Sequence, residues 1–312
     1  MLIAAITVTA GLILVLVWTA VRLRFFVPQA SDAARPVPVD RSGLIRSARR
    51  RITLSIALTL ASAATAVILN QSHPTALGLI LALAPGGAAI AGLAAFVVYP
   101  SPAIQKSPLR TASLRRRTPW SFGARWELLM PVSAAVALIA YLVTTGLSAS
   151  LDQDGLSRAL SRADPLSTRV TTPYPGWYYA APLIAMTIIL LLCAWIALRR
   201  IAVAPAPSDE ESAIADDYWR QRTTRFIVLL TTSAILSYAA GVLAFGGAAT
   251  TRIATSIDAS GTPVTTADDL VAGIVQIGIS ILFAVAATGM LGSLIKRVVA
   301  FWTVRTPETV NA

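Results

Sequence analysis

A chain of 312 residues in which 55% are hydrophobic and 13% charged, with a mean hydropathy of +0.68, is far poorer in charge than soluble domains at roughly 25%. Water would not solvate that surface and lipid does, so a soluble globular domain is excluded. The net charge of +11 would suggest nucleic acid in a soluble protein, but its distribution along the chain, given below, excludes that partner.

A helix crosses the hydrocarbon core with about 20 mostly apolar residues. Seven windows meet this requirement: 2–21, 52–70, 75–98, 128–149, 178–198, 226–247 and 270–295, none with an Asp, Glu, Lys, Arg or His. They are continuous and rich in Leu, Ala and Ile, not alternating as in a membrane barrel. The expected fold class is all-α, a polytopic transmembrane helix bundle of seven spans forming a single membrane domain, 1–312. The run 2–21 is read as a retained helix. No basic residue precedes Arg22, and the run exceeds the apolar stretch of about 7–15 residues of a signal peptide.

The inner loop 22–51 holds Pro28, Pro36 and Pro38, which disfavour a long helix there. Runs 52–70 and 75–98 are joined only by 71–74 and so form a hairpin; the lone histidine, His73, is a polar loop residue. Pro85-Gly86-Gly87 inside run 75–98 predicts a kinked or thinned helix whose small residues allow close packing, or a broken one that opens a cavity. The loop 99–127 carries Arg115, Arg116 and Arg117, then Trp120, Phe122 and Trp126. Basic and aromatic residues at a helix entrance anchor to headgroups, or dock an acidic partner.

In the outer loop 150–177, residues SLDQDGLSRALSRADP predict a short helix with Asp154 near its cap. Thr172 to Tyr179 then set a proline–glycine turn whose aromatics suit an interfacial belt. Cys193, the only cysteine, is a small residue within run 178–198 and forms neither an intrachain disulfide nor a thiolate zinc site. In the inner loop 199–225, Ser208 and Glu211 form a capping box, and Asp216 precedes Arg220 by one helical turn. The predicted helix 209–224 runs into span 226–247 and presents Tyr218 and Arg222 to a lipid or a partner. The outer loop 248–269 leads to the last run. There Gln276, Ser280 and Thr288 make a polar stripe, with Ser233, Ser237 and Tyr238 as its expected partners.

Basic residues fix the orientation. The segments 22–51, 99–127, 199–225 and the tail after 295 hold 22 of the 26; the alternate segments hold only Arg158, Arg162, Arg169 and Arg252. Short basic loops stay in the cytoplasm, so the N-terminus is expected outside and the C-terminus inside. The charge thus serves topology and anionic lipid headgroups.

No chemistry stands out. The outer carboxylates Asp152, Asp154, Asp164, Asp258, Asp268 and Asp269 have no histidine or cysteine beside them, and Asp152 with Asp154 falls short of a calcium loop. No phosphate-binding glycine loop occurs, and no intramembrane carboxylate offers a proton relay. No cofactor, metal or catalytic residue is expected. The excess of Arg over Lys amid much Ala, Val and Gly points to GC-rich bacterial coding.

Two segments, SFGARWELLMP from Ser121 and PYPGWYYAAPL from Pro173, resemble uncharacterised actinobacterial-type multi-pass integral membrane proteins. The resemblance covers about a third of the chain and implies location only. The seven-span arrangement is also similar to that of rhodopsins, but their last span needs a retinal-binding lysine, and Lys296 follows the last run instead.

The expected role is that of a non-catalytic subunit or accessory protein of a transport or cell-envelope complex in the cell membrane, served by a separate ATPase or other membrane subunit. The alternatives are a stand-alone carrier or channel for a small or lipophilic solute, and a membrane enzyme acting on a lipid-linked substrate.

Overall fold

The structure, a computed structural model, describes residues 42–73, 76–98, 118–163, 168–204, 210–255 and 265–303. The run 2–21, the prolines of the first inner loop, the Arg115–Arg117 cluster and Ser208 lie outside the described residues.

Among the described residues six long helices follow one another: α1 Ser42–Ser72, α2 Leu79–Val98, α3 Arg125–Ser148, α4 Trp177–Val203, α5 Glu210–Ala254 and α6 Ala267–Thr303. A short 3-10 turn, Pro119–Ser121, precedes α3. Each long helix contains a segment long and apolar enough to cross a membrane. The helices overrun the apolar windows at most ends: α1 begins inside the expected loop 22–51, and α5 takes in much of 199–225. Apolar runs mark the hydrocarbon core, while helical hydrogen bonding continues into polar sequence wherever no breaker intervenes.

Helix α5 is the centre of the bundle. Residues 226–243 are almost continuously buried, as expected of a helix apolar on every side. Its most extensive partner is α6, while α1 and α2 pair as a hairpin, α2 also packs on α4 and α5, and α3 packs on α4 and α5. The α5–α6 crossing is set by small residues: a Cβ on Gly247 would lie 2.8 Å from the Gly273 carbonyl oxygen, and one on Gly273 would lie 2.9 Å from that of Gly247. Such close backbone approach is how helices gain contact where lipid removes the hydrophobic drive. Leu54, Leu60 and Ile68 of α1, and Ile281, Leu282 and Val285 of α6, face outward, as a lipid-facing surface allows.

The expected short helix in 150–177 is not formed. The segment is a three-stranded antiparallel sheet in the order β1 Ser150–Leu151, β2 Ser157–Ala163, β3 Thr168–Thr171. Asp152 caps a turn instead of a helix: its Oδ1 accepts the Asp154 and Leu156 N–H groups, both at 2.9 Å. Gly155 completes the reversal at φ +74°, a conformation that favours glycine. The sheet sits over one end of the bundle, where Leu160 and Tyr174 pack on Ala249 and Ile253 of α5.

Candidate functional site: an apolar cavity between α2, α4 and α5

Beneath the sheet end, α2, α4, α5 and the Pro173–Pro175 turn enclose a cavity of about 290 Å³. Leu81 and Pro85 form one wall, Tyr179 and Leu183 a second, and Tyr238, Gly241 and Phe245 a third. Leu81 and Phe245 are 51% and 56% exposed, which places the mouth on the outward, apolar side of the bundle. A Cβ added at Gly241 meets nothing within 4 Å, so this glycine leaves the space empty.

The predicted break at Pro85-Gly86-Gly87 does not interrupt α2, which is continuous from Leu79 to Val98 with Pro85 inside it. Pro85 stands in the second turn, where its missing N–H costs one backbone hydrogen bond and the rest of the ladder is kept. Its neighbour Gly86 makes room for a ring, since a Cβ there would fall 1.7 Å from the Tyr238 hydroxyl oxygen. The absent side chain lets the Tyr238 ring lie on α2, and its hydroxyl donates to the Leu83 carbonyl at 3.1 Å. Ser237 donates to the Ser233 carbonyl on its own helix at 2.8 Å. The polar donors of the wall are therefore used within the protein, and the cavity offers a mostly apolar surface.

Two tyrosines brace the turn beside the cavity. Tyr178 donates to the Ala76 carbonyl at 3.2 Å and Tyr179 to that of Leu77 at 2.8 Å. They hold the turn before α2, where Leu77 and Gly78 have φ of 51° and 80°. The aromatics expected as an interfacial belt thus divide: Trp177 is exposed, whereas Tyr174 is buried. Burial raises the Tyr174 pKa above the ordinary tyrosine range, against the lowering effects of the Ser148 hydrogen bond and the Arg162 charge. In the covering sheet Arg158 pairs with Asp152 and Asp154, and Arg162 with Asp269. Burial acts to raise the Asp152 pKa, but the Leu156 and Asp154 N–H groups and the Arg158 guanidinium more than offset it, leaving the carboxyl below its usual value.

Gln276 and Ser280 lie on the α6 side of α5 and do not line the cavity. The stripe bonds to partners other than Ser233, Ser237 and Tyr238. Gln276 Oε1 accepts from the Tyr141 hydroxyl at 3.3 Å, and Ser280 donates to the Ala240 carbonyl at 2.8 Å. Thr288 is exposed and donates to Ala284 of its own helix. Ser233 likewise turns to its own backbone, because a hydroxyl in a helix reaches the carbonyl one turn back more readily than another helix. Gly87 is loosely packed, with Met186 the nearest neighbour.

At the opposite end, Arg220 is buried. It pairs with Asp216 at 2.8 Å, donates to the Ile201 and Ala204 carbonyls at the end of α4, and lies over the Phe122 ring. Arg225 faces the buried Glu127 at 3.5 Å. Arg222 stacks on Tyr218 with its guanidinium carbon 4.6 Å from the ring centre. Trp120 is exposed, and Trp126 packs against the core. The basic residues Arg199, Arg200, Arg222, Arg225, Lys296 and Arg297 gather at this end. Sequence spacing reveals the Asp216–Arg220 pair, but neither the grip of Arg220 on α4 nor the empty space at Gly241, for which no local signal exists. Among the described residues no group of three His, Cys, Asp or Glu side chains is placed to hold a metal ion.

Compared with known proteins, the chain matches no family model, no curated protein and no solved structure.

Proposed function

We propose that the chain is a non-catalytic membrane protein that takes a lipophilic solute from the bilayer into the cavity between α2, α4 and α5. The single observation behind this reading is the cavity, about 290 Å³ in volume, with apolar walls and its mouth between the outward-facing Leu81 and Phe245. Ligand sites of this kind bury most of a small apolar molecule and use few polar groups for orientation. Of the expected functions, the stand-alone carrier for a lipophilic solute fits it best. Mild-detergent purification followed by mass spectrometry of bound small molecules tests it. The native protein carries an apolar species and Gly241→Leu does not; equal recovery from both overturns the reading.

In this proposal the run 2–21 is a further span beside the six helices, the basic end faces the cytoplasm of a bacterial cell, and the sheet lies outside. The charge distribution supports that orientation through the retention of Lys and Arg on the cytoplasmic side. Cysteine accessibility at Gln153 and at Lys296 tests it, with labelling by an impermeant reagent expected only at Gln153 in intact cells.

A second reading, a subunit or accessory of a transport or envelope complex, is favoured by the basic end. There Arg220 anchors the long N-terminal extension of α5 to α4, and that extension carries Tyr218 and Arg222 as a contact surface for a separate ATPase or other subunit. Stoichiometric co-purification of such a chain, lost in Tyr218→Pro while insertion persists, supports it.

A further inference from the structure

We propose that the basic end holds a binding site for an anionic phospholipid, seated in the groove where α1, α5 and α6 meet. Its floor is Ile52 of α1, Phe226 and Leu229 of α5, and Leu294 and Val298 of α6; Arg222 and Arg297 flank it. The site is separate from the cavity: Arg222 and Gly241 are 19 positions apart on one helix, or about 28 Å at 1.5 Å per residue.

Three observations select the occupant. First, α1 and α6 barely touch, so the groove opens sideways between two helices that each have a membrane-spanning segment. Ile52 lies near one end of the α1 segment and Val298 near the end of the α6 segment. The groove therefore begins in the apolar layer and rises to its boundary. Second, it encloses only about 20 Å³, too little to engulf a solute, so an occupant lies along it. Third, the side chains change character along its length. The apolar floor gives way to two guanidiniums, with Arg49 one turn from Ile52 on α1. The stack on Tyr218 gives the Arg222 guanidinium a defined orientation. A ligand matching this order has an acyl chain below and an anionic group above, and guanidinium forks are well suited to phosphate. Basic pockets between spans serve headgroups in this way. A soluble acidic peptide would satisfy the arginines but bring no acyl chain to the groove beside them.

The full chain, purified in neutral detergent, is titrated with phosphatidylglycerol, with phosphatidylcholine of the same acyl chains, and with inorganic phosphate, and bound species are counted by native mass spectrometry. Phosphatidylglycerol is expected to bind more tightly than phosphatidylcholine by about fivefold per arginine, hence about 25-fold in all, with inorganic phosphate failing to compete. Arg222→Gln combined with Arg297→Gln removes the preference; Lys296→Gln, on the exposed neighbour, keeps it. Val298→Trp, which leaves both arginines in place, blocks the groove and lowers binding of the lipid. Equal binding of the two lipids, a preference that survives the double substitution, displacement by inorganic phosphate, or undiminished binding by Val298→Trp overturns the proposal.

Discussion

The Tyr238 hydroxyl occupies the place where a side chain at residue 86 would begin, 1.7 Å from a Cβ built on Gly86. Gly86→Ala must therefore push the ring off α2 and break its bond to the Leu83 carbonyl. Overpacking of this kind costs about 1–3 kcal/mol, read as a lower thermal midpoint in detergent. Tyr238→Phe loses only the hydrogen bond, about 0.5–1.5 kcal/mol. Tyr238→Leu, whose side chain stops short of position 86, should make Gly86→Ala nearly harmless. Equal costs of Gly86→Ala in the native and Tyr238→Leu backgrounds would mean that the two residues do not meet.

Gly241 predicts the opposite behaviour. Its Cβ position is open, and replacing a helical glycine gains up to about 1 kcal/mol. Gly241→Leu should keep or raise the thermal midpoint while abolishing solute binding. A variant that falls in stability and binding together would argue against an empty, ligand-sized space.

Arg220 joins three elements through Asp216, the two α4 carbonyls and Phe122. Removing one partner of a buried ion pair costs about 3–5 kcal/mol, so Arg220→Ala should reduce the folded yield sharply. Arg220→Lys should rescue little, because an ammonium cannot serve a carboxylate and two carbonyls with one planar fork. Fluorescence-detected gel filtration of the three proteins decides this.

Acid should loosen the sheet through Asp152. Its folded pKa lies below the ordinary 3.8, so the carboxylate contributes stability that is fully present above that value. The contribution is lost as the pH falls through the lower, folded pKa. Thermal midpoints measured from pH 7 to pH 2 should fall less steeply at the acid end for Asp152→Asn than for the native chain. At neutral pH Asp152→Asn keeps an acceptor for the Asp154 and Leu156 N–H groups and should lose less than Asp152→Ala.

The apolar helices are legible in the sequence because hydrophobic length is a one-dimensional property: each long helix among the described residues overlaps one of the apolar windows. The sheet is not. Leu156 and Leu160 have helical spacing, and the competing signal is local: an Asp-Gln-Asp-Gly turn, in which Asp152 binds the backbone and Gly155 takes a positive φ. Pro85 and Gly86 stand out in the sequence for close packing or a cavity, and α2 stays continuous through them. What they do depends on Tyr238, over 150 residues away, and sequence does not reveal which tyrosine a glycine admits. Gln276 and Ser280 make bonds to other helices, yet their partners, Tyr141 and a backbone carbonyl, follow from packing alone.

The six helices differ greatly in length. At 1.5 Å per residue, the 45 residues of α5 extend about 68 Å, whereas the 20 residues of α2 extend about 30 Å, close to the thickness of the hydrocarbon core. The apolar runs within them, 226–247 and 75–98, are nearly equal in length, so the surplus of α5 lies in polar sequence and carries Arg220 and Arg222 beyond the apolar stretch. A force applied to that polar end is therefore borne by the same helix that forms the buried centre of the bundle, residues 226–243.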